Sequence, residues 1–242
     1  MIKWKLICLT AVILFSVTDE VKAGDNSPVY PDAGSWNTFS ISYALNKKFA
    51  LLFTEELRLR ENYSRLNLFY TNLGVEYKAN KYFKTSLVYR WIDKYLDNDN
   101  FSFRHRLMWD ATIKYPYKNF TLSYRHRLQV EGRNLLSSMS GFIPEWYSRS
   151  KFELSYKITE KLGTYIATEF RYQIHDPRSI ESEGTWHRIR YQGGFDYELT
   201  DRSKCGVYYL IQHEWNVSSP ENLYITGLEY SLSLKREPKA KN

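Results

Sequence analysis

One kind of segment recurs along nearly the whole chain. About 10 to 15 residues alternate apolar and polar side chains and then stop at a turn signal. Such segments lie near 36–45, 48–60, 65–78, 82–95, 101–114, 119–131, 146–158, 162–175, 185–199, 204–217 and 222–234. Strands of soluble proteins usually run five or six residues. A strand that crosses a bilayer at a tilt needs about 9–11. The period and the length together predict a transmembrane β-barrel.

The connections alternate in length. Those at 46–48, 79–81, 115–119, 159–161 and 200–203 are tight; those at 61–64, 97–100, 132–145, 176–184 and 216–222 are mostly longer. Short periplasmic turns and longer outer loops are the pattern of bacterial barrels. Such barrels have an even number of strands, whereas eleven segments are countable here. Residues 24–35 are a candidate for a short extra strand, so the expected range is 10–12.

The N-terminus is of a different kind. Lys3 and Lys5 precede an apolar run from Leu6 to Val17, followed by Val21-Lys22-Ala23. That order predicts a secretory signal cleaved after Ala23, against the alternative of a retained anchor. Cys8 leaves with the signal, and Cys205 then stands alone, so no intramolecular disulfide is available. The formal charge is +7, and removal of the signal leaves about +6. The basic residues form no run, so nucleic acid is not an expected partner. Residues 235–242 read as a charged C-terminal tail.

The arginines decide which face is which. On 101–114, Phe101, Phe103, Leu107, Trp109, Ala111 and Ile113 share one face, and Arg104, Arg106, Asp110 and Lys114 share the other. On 119–131, Phe120, Leu122, Tyr124, Leu128 and Val130 oppose Arg125, Arg127, Gln129 and Glu131. An Arg facing lipid near the midplane costs roughly 2–4 kcal/mol. In a membrane barrel the apolar rows therefore face outward and the charged rows the lumen. A soluble barrel would reverse this, and would have to fit bulky aromatics from eleven strands into one interior.

Counted from the tight turns, the basic residues share a height. Arg58, Arg60, Arg90, Arg104, Arg106, Arg125, Arg127, Arg149, Lys151, Arg171, Arg188 and Arg190 all fall roughly nine to thirteen residues up, on the order of 25–30 Å. A basic belt should ring the outer half of the lumen. Asp110, Glu153, Asp196 and Glu198 are expected lower, with Glu56 and Glu169 at the belt. Arg106 and Arg127 are expected to be near neighbours across the 115–119 turn. Two readings follow. In one, Glu56, Asp110, Glu153 and Glu169 pair with the arginines and plug a narrow lumen, as buried charges require. In the other, the basic residues exceed their partners and hold or pass a small anion.

Phe103-Arg104-His105-Arg106-Leu107 and Tyr124-Arg125-His126-Arg127-Leu128 form a matched pair. His105 and His126 fall in the apolar phase, as do His187 and His213. His175 points inward beside Asp176. No Gly-x-Ser-x-Gly occurs, and no two histidines have metal-ligand spacing. No catalytic residue, metal or cofactor is predicted, although a lipid-modifying hydrolase is the alternative from another class.

The segments Asp32-Ala33-Gly34-Ser35-Trp36, Glu56-Leu57-Arg58-Leu59-Arg60 and Tyr89-Arg90-Trp91, together with the Arg-His-Arg repeats, resemble an uncharacterised family of small outer-membrane β-barrel proteins. The resemblance covers nearly all of the mature chain. It implies the location and the barrel, and brings no substrate. The expected architecture is all-β: a signal peptide over 1–23, a single antiparallel barrel of 10–12 strands over 24–234, and the tail. Its partners would be outer-membrane lipid and lipopolysaccharide, with a small anionic solute in the lumen. The expected role is a non-enzymatic narrow channel or binder; a structural barrel with a sealed lumen is a further alternative. Leu232 and Leu234 stand where such barrels often end on an aromatic, which leaves the last strand the least secure.

Overall fold

A computed structural model describes residues 29–96, 100–133, 144–176, 184–217 and 219–235. The signal segment and the end of the tail lie outside the described residues. Eleven strands follow in chain order: β1 Tyr30–Ala44, β2 Phe49–Arg60, β3 Arg65–Lys78, β4 Phe83–Tyr95, β5 Phe101–Tyr117, β6 Phe120–Arg133, β7 Glu145–Lys157, β8 Leu162–His175, β9 Thr185–Thr200, β10 Ser203–Glu214 and β11 Glu221–Lys235. Each pairs with its sequence neighbours, and β1 pairs with β11, so the sheet closes into a barrel.

The closure revises two expectations. The strand number is odd, and residues 30–35 extend β1 instead of forming a twelfth strand. With eleven alternating strands the first and last run the same way. The seam is therefore parallel, in one unbroken register from Tyr30 opposite Glu221 to Ala44 opposite Lys235. The last strand is thus fully paired, and Lys235 belongs to it and not to the tail. β5 also runs three residues beyond its expected end at Lys114, because Tyr115, Pro116 and Tyr117 pair with β6 down to the turn.

Four of the five tight turns share a chemical device. The Asn46 side-chain oxygen accepts from the Lys48 and Phe49 amides at 2.8 and 2.9 Å, and Asn80 does the same for Tyr82 and Phe83 at 2.8 and 2.9 Å. The Thr159 hydroxyl serves Lys161 and Leu162, and the Thr200 hydroxyl serves Arg202 and Ser203. A short side-chain acceptor thus replaces the carbonyl that a tight turn lacks.

At the other end, Glu61, Asn62 and Tyr63 all have positive φ, of 52°, 54° and 69°. Asp32 holds this turn by accepting from the Glu61 and Asn62 amides at 3.0 and 3.2 Å. Two residues on, a Cβ at Gly34 would lie 2.1 Å from the Leu59 carbonyl oxygen, so the strands meet there only because the residue is glycine. These contacts account for the Asp32 to Trp36 motif.

The outer wall is apolar all round. Each strand presents an exposed large hydrophobe, for example Phe39, Leu73, Leu87, Leu122, Phe195 and Leu228. Aromatic pairs mark both ends. Phe49–Tyr77, Tyr82–Tyr115 and Phe120–Tyr156 lie toward the tight turns. Trp91–Phe103, Tyr95–Phe101 and Tyr172–Trp186 lie toward the opposite end.

Inside, one side is dry. Trp36, Tyr165, Ala167, Tyr208, Leu210 and Ile225 form a buried cluster on β1, β8, β10 and β11. The Tyr208 ring lies flat on Gly227, where a Cβ would meet it at 1.9 Å.

Candidate functional site

The other side of the lumen carries the arginines, and strand register arranges them in rows. The longest row runs Asp110, Arg127, Arg149, Arg171, Arg188, Glu214 across β5 to β10. Four cations are thus directly opposite one another in sequence of strands, which is unfavourable unless other groups intervene. Arg127 lays two bonds on Asp110, at 2.6 and 2.7 Å. Arg149 reaches Glu169 through Nε at 3.1 Å and through Nη2. Arg188 meets Glu214.

Arg171 differs. Its Nε donates to the Nε2 of His187 at 2.6 Å, and its guanidinium stands 4.3 Å from the Tyr147 ring centroid. Both partners are uncharged if His187 is neutral, as acceptance at Nε2 requires.

The next row toward the tight turns is Thr112, Arg125, Lys151, Glu169, Arg190, Gln212. Glu169 is its hub. Arg125 reaches over β7 to bond it at 2.7 Å, Arg149 descends on it, and Arg190 stands at 3.4 Å. Arg190 also donates to Gln212 at 2.7 Å and lies 5.1 Å from the Trp36 ring centroid, so the network reaches across to β1.

A third group continues on β2 to β6. Glu56 accepts from Thr38 at 2.9 Å, from Tyr70 at 2.6 Å and from Arg58. Arg58 stacks 3.7 Å over Trp36. Arg90 stacks 3.5 Å over Tyr70 and donates to Asn72 at 2.7 Å. It is opposite Arg106, which with Arg104 bonds Glu131.

Ten of the eleven arginines named from the sequence therefore meet in one tier: Arg58, Arg90, Arg104, Arg106, Arg125, Arg127, Arg149, Arg171, Arg188 and Arg190. Arg60 is set apart at the end of β2, 3.4 Å from Glu61. Among the described residues six carboxylates share the tier, Glu56, Asp110, Glu131, Glu145, Glu169 and Glu214, so arginine leads by four there.

Several expectations change. Asp110 lies in the arginine row and not below it, because Arg127 is its direct partner across β5 and β6. Arg106 and Arg127 are not opposite each other; their partners are Glu131 and Asp110. Glu153 does sit away from the arginines, 2.9 Å from Lys151, and Asp196 is 3.1 Å from Lys204. His187 is inside, only 1% exposed, and not in the outward phase. The register shifts between Arg171 and Tyr172, where two residues of β9 face one step of β8. A bulge of this kind turns adjacent side chains to the same face, so His187 and Arg188 both point inward while Trp186 stays outside. Glu131, Glu145 and Glu214 were not foreseen as partners; their inward alternation was the available signal.

Beneath the row, on the β2 to β6 side, lies a cavity of about 230 Å³. Thr54, Asn72, Ser86 and Thr112 line it, and Arg125 and Arg127 border it. At the tier itself the lumen is narrow: Gln129, His187 and Gln212 are 1%, 1% and 2% exposed.

The sequence matches, over residues 33–223, a family described as "Protein of unknown function (DUF2490)". The chain belongs to this family. The match takes in every strand from the fourth residue of β1 to the start of β11, and so the whole arginine tier of this DUF2490 member. No curated protein matches the chain. A solved structure, "NanC porin structure in rhombohedral crystal form", is similar over 74% of this chain and 86% of its own, with 12% identity and a TM-score of 0.47.

Proposed function

We propose that this DUF2490 protein is an outer-membrane β-barrel whose arginine tier binds small anions and passes them through a narrow lumen, without catalysing a reaction. The membrane reading rests on the wall. A closed sheet satisfies its backbone internally, as a bilayer requires, and here it carries an apolar belt between two aromatic girdles. The tight turns then face the periplasm.

The anion reading rests on one observation: four arginines in a single row, of which Arg171 has, among the described residues, only uncharged partners. A cationic surplus in a low-dielectric, narrow passage concentrates anions and repels cations. Glu169 and Asp110 keep most guanidiniums in place and leave the surplus to the solute. The cavity beneath the row provides space on the periplasmic side.

A sealed barrel is the second reading, favoured by the nearly complete burial of Gln129, His187 and Gln212 at the tier. A hydrolase has less to draw on, since the Nε2 of His187 is occupied by Arg171. Liposome swelling separates the first two. Vesicles containing the protein, in an isotonic potassium salt, should swell faster when an ionophore carries the potassium and the barrel must carry the anion than when an anion carrier is supplied and the barrel must carry the cation. Equal rates, or none above empty vesicles, would contradict the anion reading.

A further inference from the structure

Among the described residues the middle of the outer wall carries one acidic or basic side chain of the Asp, Glu, Lys and Arg set. Outward positions on β2 are Phe49, Leu51, Phe53, Glu55, Leu57 and Leu59. Glu55 stands between outward Phe39 on β1 and outward Thr71 on β3, near the middle of all three strands. Among the described residues it is the one Asp, Glu, Lys or Arg in the middle of that wall. Asp93 is also outward but lies near the strand end, where the Trp91 indole donates to it at 2.9 Å.

The Glu55 carboxylate receives one hydroxyl, from Thr71, at 2.9 and 3.0 Å from its two oxygens. A carboxylate offers about four acceptor sites, so most are unfilled. Facing hydrocarbon, they would be costly, and an ionisable group at that depth points to a partner. A complementary donor sits on the next strand. Asn37 is outward and opposite Leu57, one step diagonal from Glu55. One of its amide hydrogens goes to Ser35 at 3.1 Å, and among the described residues the second has no acceptor on this wall. Around the pair, Phe39, Leu57, Phe69, Leu228 and Tyr230 border an outward groove of about 350 Å³.

We propose that the β1–β2 face is the contact of a two-fold dimer of this chain, in which Glu55 of each copy accepts from Asn37 of the other. Two barrels inserted in the same direction are related by an axis along the membrane normal. That axis preserves height and exchanges left with right, so β1 meets β2 of the second copy. Asn37 and Glu55 differ by two residues in register, Asn37 being opposite Leu57 and Glu55 opposite Phe39, an offset that their side chains and the strand tilt span across the axis. An isologous contact requires such self-complementarity. Phe39 and Leu57 exchange in the same way and fill the two grooves. Each Glu55 faces an amide, and the two carboxylates stay on opposite sides of the axis.

This inference rests on the membrane reading. The protein is produced in a Gram-negative outer membrane, extracted in mild detergent and weighed by light scattering. Two copies are expected for the wild type and one for Glu55→Leu, with folding of the variant checked by heat-modifiable gel mobility. Asn37→Cys and Glu55→Cys chains, each carrying Cys205→Ser, should form a disulfide-linked dimer only when co-expressed. A membrane-embedded single copy, a dimer that survives Glu55→Leu, or cross-linking of Glu55 to another protein or to lipopolysaccharide would overturn the dimer alone. Absence from the membrane fraction would overturn the membrane reading and the dimer with it.

Discussion

Glu169 on β8 accepts from Arg125 on β6, two strands away, at 2.7 Å. The same carboxylate serves Arg149 and stands 3.4 Å from Arg190, and its side chain is 8% exposed. One buried charge thus holds three. Removing one member of a buried ionic set leaves uncompensated charge and costs about 3–5 kcal/mol. Glu169→Gln is expected to lower stability by that order, read as the urea midpoint of unfolding from lipid vesicles. A change below about 1 kcal/mol would mean the three arginines find other partners.

Arg127 and Arg171 are neighbours but one in the same row and should respond oppositely. Arg127→Gln strips Asp110 of its two-bond partner and should destabilise by about 3–5 kcal/mol. Arg171→Gln removes a cation flanked by Arg149 and Arg188 and, among the described residues, with no carboxylate of its own. It should be neutral or stabilising by up to about 1 kcal/mol. Parallel unfolding curves of the two variants check the contrast.

Gly227 is fixed by the ring that lies on it. Gly227→Ala forces Tyr208 aside, since the added carbon would meet it at 1.9 Å, and should cost about 1–3 kcal/mol. Tyr208→Leu in the same chain should recover part of that loss. A double-mutant cycle with no coupling would contradict the contact.

Asp32→Ala should loosen the rim. It removes acceptors from the Glu61 and Asn62 amides, at about 1 kcal/mol for each bond. Faster protease cleavage at residues 61–64 in the folded barrel is the expected readout, with the rest of the chain still protected.

Much of this fold was legible because a half-buried strand writes its period into the sequence. The limits of β3 and β8 agree with the alternation to the residue. Parity was not legible in the same way, since an even count is a habit of other barrels, while the parallel seam depends on β1 and β11 meeting across the whole chain. Inward alternation placed the arginines, but their partners depend on register. Alternation cannot reveal that Asp110 is level with Arg127, or that the β9 bulge brings His187 inside. Glu55 was hidden for the opposite reason. It precedes Glu56, and a pair of adjacent acids reads as one polar spot until strand pairing turns one inward and the other outward.

The most direct test of the central claim is the reversal potential of the reconstituted protein in a planar bilayer under a salt gradient. The account predicts a steady conductance with anion preference, weakened by Arg171→Gln and reversed or abolished by Arg106→Glu or Arg127→Glu. Clean insertion without conductance, or conductance indifferent to the sign of the ion, would contradict it and leave the tier as the internal brace of a sealed barrel.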